Sequence, residues 1–75
     1  MTVITVKPNR CEVVGRRLKN LRVSRHLSIQ QLSAATGISP AALSYFENGK
    51  RYPSNMSVYR LSEFYCVSRK DILGY

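Results

Sequence analysis

Lys50 and Arg51 follow directly on Asn48-Gly49, at the end of a stretch that Ser39-Pro40-Ala41 opens and that also carries Ser44 and Tyr45. Two cations at a helix end can neutralise phosphate oxygens, and Ser28, Gln30 and Asn48 are polar enough to join them. Pro40 and Ala41 are small and offer only apolar contact, of the kind that senses a thymine methyl. Ser44 brings one hydroxyl, and Tyr45 a ring and a hydroxyl, either of which can reach a base edge. The same residues have plainer roles open to them: Lys50 and Arg51 as a solvated charge run, and Tyr45 as a surface aromatic packed on Arg51.

Bond-making chemistry has no such group of residues. There is no Ser/His/acid set, no pair of carboxylates at working distance in sequence, and no glycine-rich phosphate loop. His26 stands alone at an expected helix end. Cys11 and Cys66 lack CxxC spacing and with one His form no zinc pattern, so they read as reduced thiols. No enzyme activity, metal, cofactor or small-molecule ligand is expected.

Twelve Lys and Arg against four Asp and Glu leave a net charge of +8 on 75 residues. Such an excess on so small a surface suits a polyanion. Double-stranded nucleic acid comes first, with RNA or an anionic membrane surface as the rival. No apolar run approaches the ~20 residues of a membrane span, and the first residues lack the pattern of a secretory signal. A cytoplasmic location is expected.

The elements that must hold these residues are short helices. Asn9 is placed to cap a first helix, with Glu12 as capping-box partner and Val14, Leu18 and Leu21 as its buried stripe. Ser28 caps a second, with Leu32 and Ala35 facing in. Gly37 suits the left-handed turn that closes it. Ser39 caps a third and Pro40 starts it, with Leu43 and Phe46 inward. Two short helices joined by a tight turn have the build of a DNA-reading helix-turn-helix. Ser54 caps a fourth helix to about Tyr65, with Met56, Leu61 and Phe64 as core contacts. Ser68 caps a last short helix, Arg69 to Leu73, and Gly74 closes it.

The fold class is therefore all-α, one domain over residues 9–75 after an N-terminal extension, 1–8. The extension contains the β-branched Val3-Ile4-Thr5-Val6, which reads either as a short strand or as a loose tail. Tyr59, Tyr65, Ile72, Leu73 and Tyr75 crowd the C-terminal third. Core packing is the plainer role for most of them, but a domain this small cannot bury all five, so they also join Val3, Ile4 and Val6 as candidates for a homodimer interface.

In order along the chain, Gly15-x-x-Leu18-x-x-Leu21-Arg22, Leu27-Ser28-x-x-x-Leu32, Gly37-Ile38-Ser39, Leu43-Ser44-x-Phe46-Glu47-Asn48-Gly49-Lys50-Arg51-x-Pro53 and Val67-Ser68-x-x-x-Ile72-Leu73-Gly74 resemble the lambda-repressor-like helix-turn-helix family, the Cro/XRE type of bacterial and phage regulators. The resemblance implies a five-helix bundle whose third helix enters the major groove. It also implies a buried or half-buried pair between Arg22 and Glu47. Two departures stand out. Ile29 replaces the Gln that often holds a phosphate in that family, so that phosphate either goes unheld or passes to Ser28 or Gln30. Cys66 stands at a helix end where Gly or Asn is common, so strain or a shifted cap is expected there.

The function this implies is transcriptional regulation by a sequence-specific duplex-DNA binder, a complete small repressor acting as a dimer on an inverted repeat. The rival within this reading is an antitoxin that binds a partner protein and its own promoter.

Overall fold

Asn9, Ser28, Ser39, Ser54 and Ser68 each take extended backbone angles and accept a backbone N–H from the first turn that follows. Each satisfies a donor that a helix start would otherwise leave bare. These caps open α1 (Arg10–Ser24), α2 (Ile29–Thr36), α3 (Pro40–Glu47), α4 (Asn55–Tyr65) and α5 (Arg69–Leu73). At Ser28 and Ser68 the box is reciprocal, with Gln31 and Asp71 reaching back to the cap N–H. The computed structural model describes residues 9–74, which are all-helical with no strand. The expected strand through Val3, Ile4 and Val6, and Tyr75, lie outside the described residues.

The helices end in left-handed residues. Gly37 closes α2 at φ 76° and Gly49 follows α3 at φ 72°. After α1 and α4 the same conformation falls on His26 and Cys66, both at φ 56°. At these two ends the following N–H, of Leu27 or Val67, returns to the carbonyl of Arg22 or Ser62. That is the bond of a Schellman closure, made without glycine. The Cβ of an L-residue costs roughly 1–2 kcal/mol in this conformation.

Val14 and Leu18 of α1, Leu32 of α2, Leu43 and Phe46 of α3, Val58, Leu61 and Tyr65 of α4, and Ile72 and Leu73 of α5 close one core around Ile38. Tyr65 is 2% exposed, Ile72 0% and Leu73 4%. These three side chains fill the core of the single chain, which corrects their assignment to a dimer interface. Two further expectations are corrected by helix phase. The buried stripe of α4 runs through 58, 61 and 65, which turns Met56 out to 59% exposure, while Phe64, half-buried, packs against the core as expected. On α2 only Leu32 is fully buried, and Ala35 is exposed.

Gly15 is buried within α1. A Cβ there would collide with the Phe46 carbonyl oxygen and come within 2.9 Å of the Glu47 carbonyl oxygen. The missing side chain lets α1 lie directly on the C-terminal turn of α3.

Candidate nucleic-acid interface

The α2–α3 unit is held from behind by Arg22. Its Nε donates to Glu47 Oε2 at 2.8 Å and its Nη2 to Glu47 Oε1 at 2.9 Å. Its Nη1 donates to the Leu27 carbonyl at 2.7 Å. One guanidinium thus ties α1, the loop entering α2 and the last residue of α3. The pair is mostly buried, with side-chain exposures of 15% for Arg22 and 6% for Glu47. The hydrogen bond to Glu47 holds the Arg22 pKa above its ordinary value, against the opposing effect of burial. A two-pronged Arg–carboxylate contact fixes orientation as well as distance.

On the open side of α3, Pro40, Ala41 and Tyr45 are exposed and Ser44 is half-buried. Asn48 Nδ2 donates to Ser44 Oγ at 3.2 Å, joining the helix end to its exposed row. Tyr45 is 48% exposed, and the Arg51 guanidinium carbon stands 5.6 Å from its ring centroid. That is a cation–π distance, and it brings the basic loop back against α3. The Lys50 N–H donates to the Tyr45 carbonyl at 2.9 Å, so the backbone of this loop is fixed to the helix while the Lys50 side chain is exposed.

At the start of α2, Ser28 and Gln31 are engaged with each other: Ser28 N donates to Gln31 Oε1 at 2.8 Å and Gln31 N to Ser28 Oγ at 3.0 Å. Gln30 is exposed. Ile29 packs against the core, so its side chain is turned away from anything approaching the helix end. The amides of this first turn are the positive end of a helix dipole, suited to an anion.

Three of the chain's four acids sit in local contacts. Glu12 Oε1 accepts from Asn9, Glu47 is held by Arg22, and Asp71 closes the α5 cap. The basic surface therefore has little to offset it. No group of His, Cys, Asp and Glu among the described residues could hold a metal ion, and no described helix is long and apolar enough to cross a membrane.

Sequence reasoning overlooked the Leu27 carbonyl as a ligand of Arg22. It also overlooked Arg25, whose guanidinium carbon lies 4.9 Å from the Tyr65 ring centroid and whose Nη2 donates to the Tyr65 carbonyl at 3.0 Å. No local pattern announces either contact. Gly15 did leave a signal: a helix-interior glycine costs about 1 kcal/mol relative to Ala, which asks for a packing reason.

Comparison with known proteins agrees with this geometry. The family described as Helix-turn-helix matches residues 18–72. The HTH-type transcriptional repressor RghR of Bacillus subtilis is 40% identical over 53 residues, covering 69% of this chain and 39% of that protein. The HTH-type transcriptional activator BcrR of Enterococcus faecalis is 33% identical over 58 residues, covering 77% of this chain and 28% of that protein. The chain spans well under half the length of these relatives. The crystal structure of the clp gene regulator ClgR from Corynebacterium glutamicum superposes with a TM-score of 0.81 at 25% identity, over 91% of this chain and 72% of that one.

Proposed function

Because the chain belongs to the helix-turn-helix family of DNA-binding transcriptional regulators, we propose that it binds duplex operator DNA with α3 in the major groove and acts as a dimeric repressor on an inverted repeat. The observation that carries the reading is the exposed row of α3 with the Asn48–Arg51 loop against its end, on a chain of net charge +8. Ser28, Gln30, Asn48, Lys50 and Arg51 take the phosphates on either side of the groove. Pro40, Ala41, Ser44 and Tyr45 face the base edges. The Ser28 hydroxyl, already an acceptor in its cap, keeps its hydrogen for a phosphate oxygen.

The α3 row holds no Gln, Asn or Arg for a two-pronged base contact, so direct readout is modest. The shape and bendability of the DNA supply the rest of the selectivity. A pair of copies seated on one turn of duplex sets its α3 helices about 34 Å apart, which selects a site with two-fold symmetry. Repression follows where that site overlaps the ground polymerase must occupy.

Selection of bound sites from random duplex DNA tests the reading. The expected product is an inverted repeat whose affinity falls steeply with salt. Equal retention of all sequences, or preference for RNA or anionic lipid, overturns it. Transcription from a promoter carrying the selected site, with and without the protein, separates repression from activation.

A further inference from the structure

We propose that the outer face of α4 pairs with the same face of a second copy of this chain, so that Arg60 of each copy meets Glu63 of the other. The inference rests on the dimer reading above and gives it a surface.

Met56, Tyr59, Arg60 and Glu63 recur at helical spacing on the side of α4 away from the Val58–Leu61–Tyr65 stripe, and all four are exposed. Met56 and Tyr59 are each 59% exposed, the largest exposures among the large apolar side chains of the described residues. The face continues into a shallow groove where Ala35 and Thr36 of α2 meet Tyr59, Arg60, Glu63 and Phe64. A flat apolar strip of this kind, bordered by charge, is typical of a contact surface.

The charges identify the occupant. Arg60 and Glu63 are spaced as an intrahelical pair, yet no ion pair joins them and neither side-chain charge is bonded to any other described residue. The Arg60 guanidinium instead lies over the α2–α3 turn, where a Cβ on Gly37 would stand 3.2 Å from its Nη1. Glu63 is the acid left over once Glu12, Glu47 and Asp71 are placed. On a chain of net charge +8, two copies repel across most contacts. This face is locally neutral and carries one unspent charge of each sign. A two-fold axis between antiparallel α4 helices sets plus against minus twice, with the apolar strip beside them. The same neutrality makes the face a poor seat for a polyanion. α3 packs on α1 and α2, while α4 packs on α2 and α5, so pairing here leaves Pro40, Ala41 and Tyr45 uncovered.

Charge reversal provides the test, read by sedimentation of the whole chain over a range of concentrations, free and on a selected duplex. Glu63→Arg and Arg60→Glu each set like charges together and should weaken the dimer by about tenfold or more. Arg60→Glu/Glu63→Arg keeps the wild-type net charge and restores both pairs in reverse, so dimerisation should return to within about threefold. Tyr59→Arg, still helical by circular dichroism, should be monomeric. If both single reversals dimerise like wild type, or the double variant does not recover, the α4 pairing is wrong even though the dimer reading survives. A wild-type chain that is monomeric both free and on DNA overturns both. Half-site binding by the single reversals, measured alongside, keeps DNA recognition separate from either result.

Discussion

Arg22 grips Glu47 with two parallel N–H donors at 2.8 and 2.9 Å, and its third contact is a backbone carbonyl of the loop that leads into α2. The carboxylate is 6% exposed. Removing it strands a buried guanidinium. Glu47→Ala should therefore cost about 3–5 kcal/mol in chemical denaturation. Lys19→Ala, on the exposed side of α1, should stay within about 0.5 kcal/mol. Equal losses would show that the pair contributes no more than a surface charge.

Gly15→Ala should reverse its usual sign. Ala is favoured over Gly by about 1 kcal/mol in a helix interior. Here the added carbon meets the backbone carbonyl oxygens of Phe46 and Glu47, which move only if α3 moves. A net loss of about 1–3 kcal/mol is expected. Because α3 would be displaced with it, DNA affinity should fall further than the loss of folded protein explains.

Lys50→Ala/Arg51→Ala should weaken binding to every duplex sequence alike. Each phosphate contact contributes ~0.9 to the slope of log affinity against log salt, so losing two should flatten it by up to about 1.8. A slope equal to that of wild type would take this loop out of the interface.

Tyr65 should make the domain alkali-sensitive. Burial raises its pKa to about 12 from its ordinary value near 10, with the Glu47 charge adding to the effect. Below pH about 10 the hydroxyl keeps its proton in both folded and unfolded chains, and stability from this group is complete. Between about 10 and 12 the unfolded chain ionises first and is favoured, so about 2 kcal/mol is lost as pH rises through that window. Tyr65→Phe should remove this loss. It should also be neutral or stabilising at pH 7, because the buried hydroxyl has no hydrogen-bond partner among the described residues. Denaturation curves at pH 7, 10 and 11.5 for both proteins check the two statements.

Cys66→Gly should raise the melting temperature. The residue sits at φ 56°, ψ 42°, where glycine meets no Cβ penalty. A gain of about 0.5–1 kcal/mol is expected once the greater freedom of glycine in the unfolded chain is counted. His26→Gly should act in the same direction at the end of α1. Loss of stability in both variants would mean that the side chains contribute contacts worth more than the strain.

The helix starts were readable in the sequence because a cap is a local event: Ser28, Ser39, Ser54 and Ser68 each bond within three residues of themselves. The left-handed ends at Gly37 and Gly74 were readable for the same reason. The phase of α4 was not, since Met56 has the character of a core residue and only packing against α2 and α5 decides that Val58 and Tyr65 turn inward. Likewise Arg25 meets Tyr65 across 40 residues of chain, a distance no spacing rule spans. The residues offered for DNA contact were readable as types. Their arrangement, with Arg51 against Tyr45 and Ile29 turned into the core, came only with the fold.

Keeping Glu12, Glu47 and Asp71 in local contacts has a consequence in time rather than in affinity. On the DNA-binding reading proposed above, an encounter with duplex would meet few carboxylates that turn it away, and capture from solution would be steered and fastest at low ionic strength. On that reading the same uncompensated charge would hold the chain loosely to any stretch of duplex and let it slide and hop along the DNA before letting go. How quickly an operator is found would then depend on that search along non-operator DNA, with the α3 row deciding only where it stops.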